Sequence, residues 1–572
     1  MRIYTLIFVL WSVCFSAIGQ ERTIGLVTRD STVDGGYYLF APKNDRATYL
    51  VNDCGQFINK WTSEYQPGNI DYLLENGDLI TARQYNQNPG LGAGGQGGIL
   101  EQYDWDGNKK WSYVISDSIQ LAHHDISILP NGNFLVLVWD KRFYQEAIDA
   151  GRDSNYVDES VWSEKIIEIK PIFPDSAEIV WEWYLWDHLI QDYDPTKDNY
   201  GVVADHPELL NINYILGSPD ADWLHANSLD YDPESDQIIF SSRDINEIYV
   251  IDHSTTTEEA ASHSGGRWDK GGDFLFRYGN PRVYERGDTS DQEFFMQHDA
   301  NFVAHGLDDY GALMVFNNGR ARFGIPIDSN YSQVVKIYPT RNADSSFVID
   351  NQYAVDSTVV VYEGSPRPSF FAAFLSGATA LKNDRYLISH GPKGEFFEID
   401  ESGEILWKYV IPVGLGGQPL TQGIDVDDLG TGIGARDNFF FRAVKYDADF
   451  PGFDGKDLSS NTYIELSPLQ GLCGDIPVIS GVIDLNYGDL TISPTLVTNN
   501  QLTIVFDNEL LVDTYVLMNI KGQILAESSH LNRDTQFSID LPNGLHSGLY
   551  LLQLKGQKKG VPFITNKKII IP

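Results

Sequence analysis

At 572 residues the chain is too long for one ordinary hydrophobic core, which points to two domains or to one large repetitive body with an appendage. A formal net charge of −39 excludes nucleic acid and anionic membrane surfaces as long-range partners, so any anionic substrate must find local cations. Aromatic residues make up 13% of the chain, "NG", "DG" and "GN" turns recur, and no amphipathic stretch exceeds about three helical turns, so the composition favours strands.

The chain opens with "MRIYTLIFVLWSVCFSAIGQ". Arg2, the apolar run from Leu6 to Val13, and small Ala17 and Gly19 before Gln20 form a secretion signal over residues 1–19, which carries Cys14 away. No later segment offers about 18 uninterrupted apolar residues, so no membrane span is expected. Cys54 and Cys473 remain, and in an oxidising compartment they can pair and tie the start of the main body to its end.

From residue 69 onward a unit repeats. Its opening strand and turn are "NIDYLLENGDLITAR" (69–83), "HDISILPNGNFLVLV" (124–138), "HANSLDYDPESDQIIFSSR" (225–243), "HDANFVAHGLDDYGALMVFNN" (298–318) and "SGATALKNDRYLISH" (376–390). A third strand and an aromatic fourth strand follow each, and four strands joined by tight turns are the grammar of a propeller blade. "YYLFAPKNDRATYLVNDCGQFINKWT" (37–62) is a sixth, less regular unit. The expected main body is therefore all-β, a six-bladed propeller over residues 20–472, with "NPGLGAGGQGG" and the insert from His188 to Pro219 as loops on one face.

Aligned on their turns, the units begin with Asn69, His124, His225, His298 and Ser376, and their second strands end at Arg83, Arg243, Asn318 and His390. One polar position repeated around a ring converges on an axis, where each titratable group carries a desolvation cost that packing would avoid. Such groups also bond one another and trapped water without chemistry, so a structural reading stays open. Three histidines can also hold zinc, but the nearby Arg243 would repel a dication and suits a tetrahedral oxyanion. No metal and no cofactor is expected.

His225 and Asn227, an arginine sixteen positions on at Arg243, and the block "QHDANFV…GALMVFNNG" resemble the bacterial arylsulfate sulfotransferases, over about residues 60–450. The resemblance implies transfer of a sulfuryl group from a phenolic sulfate ester to a phenol without a nucleotide donor. It implies that His298 becomes transiently sulfated, that His225, Asn227 and Arg243 hold the sulfuryl oxygens, and that His124 is a further active-site histidine. Ser376 and Thr379 are the nearest hydroxyls to the family's last-blade threonine, and Arg83, His390 and Asn318 are further candidates for the channel. The competing readings are a surface propeller that only binds an anionic glycan or peptide, and a sulfate ester hydrolase.

Past a linker at 473–489 the pattern changes. "GQILAES", "LPNGLHSGLYLLQL" and "KKIIIP" resemble the sorting domain that directs proteins to the type IX secretion system, with "SPT" where that domain has "PNP". Residues 490–572 are expected to form a small β-sandwich, with the secretion machinery as partner and the protein exported to the medium or the cell surface.

Overall fold

The computed structural model describes residues 22–473 except 86–89, 215–220, 349–352, 431–433 and 470–471, and beyond them only strands between 490 and 571. The signal segment 1–19 and the linker past Cys473 lie outside the described residues. Among the described residues the regular structure is nearly all strand, and the helices are single turns or little more.

Between residues 25 and 446 the strands form six antiparallel sheets of four or five strands, besides one two-stranded pair in the insert (Leu189–Ile190 with Leu210–Asn211). Four follow the repeat directly. Pro67–Leu73 opens the first, Gln120–Ile128 the second, Ala226–Asp232 the third and His298–Phe302 the fourth, and in each the order across the sheet is the order along the chain. Alternating apolar and polar residues, with NG-type turns to reverse direction, make each a meander. The fifth, from Gly377–Leu381 to Ile405–Val410, gains an outer strand from the amino end, Gly25–Arg29. The sixth takes Tyr37–Phe40, Ala47–Asn52 and Phe57–Thr62 from the amino end and its innermost strand, Val444–Tyr446, from the far end. The unit at 37–62 is therefore three strands of a sheet whose fourth lies nearly 400 residues on.

The sheets are linked in a cycle. Carboxylates on successive opening strands accept backbone N–H groups of the next one: Leu229 N–H donates to Asp125 (3.0 Å), Phe302 N–H to Asp230 (2.9 Å) and Ala378 N–H to Asp299 (2.8 Å). Gly97 N–H to Ala122 C=O (3.0 Å) joins the first sheet to the second, and Ala443 N–H to Ser389 Oγ (2.9 Å) joins the sixth to the fifth. Thr48 donates to Asp71 and closes the sixth on the first. Apolar clusters fill the spaces between neighbouring sheets, such as Ile80, Leu100 and Trp111 of the first against Ile126, Val136 and Ile167 of the second. Cys54 and Cys473 are joined by a disulfide, with Cα atoms 5.8 Å apart.

Candidate active site

The opening strands do not run evenly. Register breaks occur between Pro67 and Asp71, opposite Ala122–Ile126, between Ala226 and Ser228, and between His298 and Asn301, so the first four sheets carry a bulge at the same end. A bulge turns a side chain out of the pleat, and bulges collect beside active sites. Here the backbone at His124 and His225 takes φ of +49°, with Asp299 at +54°, a left-handed conformation that costs a non-glycine residue about 1–3 kcal/mol.

His298 is buried. Its Nδ1 lies 2.8 Å from Asn318 Oδ1, and the Asn318 amide nitrogen donates to Ala372 C=O (2.8 Å) and Leu375 C=O (3.0 Å). Those two bonds fix the amide, so its oxygen must accept and Nδ1 must carry the proton. Nε2 is left with its lone pair, 3.3 Å from Leu375 N–H. Burial, and then the Arg243 guanidinium, push the His298 pKa down to about 3, so the ring is neutral at pH 7.

His225 titrates the other way. Burial alone would lower its pKa, but Nδ1 sits 2.6 Å from Asp222 Oδ2, and that charge and hydrogen bond carry the value above the ordinary 6.5. Its ring centroid is 4.8 Å from that of His124. His124 Nδ1 is 2.9 Å from His123 Nδ1, and His123 Nε2 is 2.9 Å from Glu164 Oε2, while the His123 ring stacks on Trp139 at 4.2 Å. Burial dominates throughout this chain of groups: it lowers both histidines, His123 to about 3, and raises the Glu164 carboxyl. Charge is disfavoured on each member, so a proton passed along the chain exchanges tautomers rather than leaving separated ions.

Arg243 is partly buried, bonded to Asp244 (2.5 Å) and near Met296 Sδ (3.6 Å), and its charge acts on both His298 and His225. Asn227 donates to Gln297 C=O (2.8 Å) and so pins the residue before His298, while its Oδ1 is buried without a partner. His124, His225, His298, Arg243, Asn227 and Asn318 thus form one cluster. Ser376 lies at its edge, next to Leu375, with its hydroxyl accepting Gly391 N–H (3.0 Å).

The other expected residues sit elsewhere. Thr379 is exposed three positions along its strand. Arg83 turns back to Thr48 (2.6 Å) and Asp71 (3.2 Å), where a buried carboxylate pairs with it. His390 is buried against the Phe370 ring, with neither ring nitrogen bonded, and burial lowers its pKa to about 4. Nor do the rings make a zinc site: among the described residues, the nitrogens of His124, His225 and His298 do not all lie within 4.8 Å of one another.

Several parts escape the repeat alignment. His123, Glu164 and Asp222 orient the histidines; Asp222 stands three residues before His225, a readable spacing, but Glu164 comes from the third strand of its sheet. Lys43 donates to Pro67 C=O (3.1 Å), Gly68 C=O and Asn69 Oδ1 (2.7 Å), with its charge felt at His124 and burial lowering its pKa to about 7. Arg442 binds Asp299 (2.5 Å), Asp125 (3.0 Å) and the Tyr72 hydroxyl (2.6 Å), tying together the residues that follow His298 and His124. Gly94 and Gly95 of the glycine-rich segment lie against the site. A Cβ on Gly95 (φ +82°) would lie 2.0 Å from His124 Nε2, and one on Gly94 3.5 Å from the His225 ring.

A family model described as arylsulfotransferase (ASST) matches residues 61–405, and one described as a secretion system C-terminal sorting domain matches 498–572. No curated protein matches the chain. Among solved structures, a protein of unknown function from Bacteroides caccae is 12% identical, covering 66% of this chain and 93% of its own, with a TM-score of 0.36. A streptogramin B lyase is 10% identical, covering 75% and 95%, at 0.33, and a virginiamycin B lyase from Staphylococcus aureus 8% identical, covering 68% and 89%, at 0.30.

Proposed function

Because the chain belongs to the arylsulfotransferase family and is a sulfotransferase, we propose that it moves a sulfuryl group from a phenolic sulfate ester to a phenolic acceptor, with no nucleotide donor, through a sulfated His298. In this reading the six sheets are the blades of a propeller spanning residues 20–472, their opening strands line its channel, and a linker (473–489) leads to a two-sheet sandwich (490–572). The observation that carries it is the fixed tautomer of His298, a neutral, buried imidazole whose Nε2 keeps its lone pair, held by one long bond from Leu375 N–H (3.3 Å), in the field of the Arg243 cation.

An anionic sulfate ester repels an anionic nucleophile, and a protonated imidazole has no lone pair to give, so neutral imidazole meets both demands. His298 Nε2 attacks sulfur, the S–N bond forms and the S–O bond to the ring breaks. The leaving phenolate takes the Nε2 proton of His225, whose Nδ1 stays on Asp222. Arg243 and the second N–H of Asn227 hold the sulfuryl oxygens, where one lost donor costs roughly 3–4 kcal/mol. In the second half the acceptor phenol gives its proton to His225, its oxygen attacks sulfur, and the S–N bond breaks to restore His298. His124, backed by His123 and Glu164, packs against the His225 ring, and a shift of tautomers along that chain returns a proton to His225 when phenol leaves before the acceptor binds and takes it back when the acceptor gives up its own.

Release of a coloured phenol from a simple aryl sulfate, with and without a second phenol, tests this. The expected result is acceptor-dependent release, lost in His298→Ala, with label from a sulfate donor retained on the wild-type protein. Release indifferent to the acceptor would make the protein a hydrolase, and saturable binding of sulfated ligands without release would make it a binding module.

The sorting tail marks the protein for type IX export to the cell surface, and no helix among the described residues is long and apolar enough to cross a membrane.

A further inference from the structure

Away from the opening strands, two histidines converge on one carboxylate oxygen. His188 follows the outermost strand of the second sheet (Ser176–Tyr184), and Asp273 precedes the outermost strand of the third (Phe276–Tyr278). His188 Nδ1 and His263 Nδ1 each lie 2.8 Å from Asp273 Oδ1. His188 and Asp273 are buried, whereas the His263 side chain is 62% exposed.

The protons in this group do not balance unaided. His188 Nε2 lies 2.8 Å from Ala260 C=O, which can only accept, so Nε2 carries hydrogen. In a neutral ring the Nδ1 lone pair then faces a carboxylate oxygen, acceptor against acceptor. Something must lie between the two acceptors, either a proton held by the ring or the carboxyl, or a metal ion. Fixing one ring nitrogen on a backbone carbonyl so that the other can ligate is how proteins commonly set a metal-binding histidine. Gly272 allows it, since a Cβ there would lie 2.5 Å from His188 Nε2 and 2.1 Å from Ala260 O. The ring is further held by stacking on Trp183, with planes 6° apart.

We propose that His188 Nδ1, His263 Nδ1 and Asp273 Oδ1 bind one divalent metal ion of the zinc class, with a fourth position open to water beside His263. Two imidazoles and a carboxylate are a donor set zinc accepts. At zinc distances of about 2.0–2.1 Å, tetrahedral ligands stand roughly 3.3 Å apart, so these atoms must separate by about half an ångström. The exposed His263 can supply its own share of that movement, and a small turn of the Asp273 carboxylate supplies the rest between the two buried ligands. A metal here would clamp the outer edges of two adjacent sheets and the insert, whose Leu210 N–H bonds His188 C=O (2.9 Å) and whose Glu208 C=O accepts Phe274 N–H (3.0 Å).

The full chain, stripped with a chelator and desalted, is titrated with zinc and separately with cobalt(II). The expected results are about one tightly held equivalent of zinc, the visible absorption of four-coordinate cobalt, and a higher unfolding temperature with zinc. In His263→Ala, which removes a mostly exposed side chain, metal affinity should fall at least tenfold and the thermal gain should vanish, with sulfuryl transfer unchanged. No uptake by the wild-type chain would show that a proton, not a metal, lies between His188 and Asp273 and overturn the proposal. Uptake undiminished in His263→Ala would also overturn it, by placing the metal elsewhere.

Discussion

In the proposed reaction the histidine that attacks sulfur must be neutral and the one that protonates the leaving phenolate must not be, so two members of one cluster have to titrate in opposite directions. Burial and Arg243 lower His298, and Asp222 lifts His225 against the same burial. The two shifts predict the pH profile. His298 loses its added proton near pH 3, so the acid limb lies far below neutrality, whereas the alkaline limb falls as pH rises through the elevated value of His225. Asp222→Asn should therefore shift the alkaline limb of kcat to lower pH and reduce kcat at pH 8 by about 10²-fold, the scale of a lost general acid; an unmoved limb would assign the proton to another group. Glu164→Gln interrupts the proton path to His124 while leaving a polar group on His123. It should lower kcat about tenfold with little change in KM, because the path matters during proton transfer rather than in holding the ester.

The repeat made the histidines readable because each begins a strand at the same place, but it did not show how they are presented. Bulges leave no mark in an alternating pattern, and the left-handed backbone at His124 and His225 is imposed by neighbouring strands. Arg83 ends a second strand as Arg243 does, yet it folds back onto Asp71, since a buried carboxylate within reach outcompetes the histidine cluster. His390 likewise stays beside Phe370. A further element-level contact lies where the second and third sheets meet: His253 Nδ1 is 2.7 Å from Asp236 and Nε2 is 3.1 Å from Glu168. Burial opposes charge on this ring, but the two carboxylates outweigh it and raise its pKa to about 9. A raised value means that the stabilisation is complete below pH 6.5 and is lost as pH climbs through 9, amounting to about 3 kcal/mol at most. His253→Gln should accordingly lower the unfolding midpoint at pH 6 and differ little from wild type at pH 10; an equal gap at both would show that packing, not charge, holds this joint.

At the scale of the molecule, closure of the cycle was the least legible feature. Val444–Tyr446 is three residues long and belongs to no repeat, and only its pairing with Tyr37–Leu39 reveals its place. A ring closed by so short a strand depends on whatever holds the returning chain. The segment after Val410 crosses back past the amino end, with Gln422 accepting from Thr23 N–H (2.8 Å), Phe57 N–H donating to Thr462 C=O (2.9 Å), and finally Cys473 bonded to Cys54. The bridge spans 419 residues, so in the unfolded chain it removes the freedom of nearly the whole main body. Loop entropy grows only logarithmically, so a bridge of this span contributes about 5 kcal/mol rather than many times that. It suits a chain exported to an oxidising environment. Cys54→Ser should lower resistance to denaturant by that amount and expose the returning segment first, seen as faster amide exchange around Val444–Tyr446 and Thr462 before the other five sheets open. Uniform loss of protection across all six would mean instead that the ring opens as one unit, with the covalent tie acting on the unfolded chain alone.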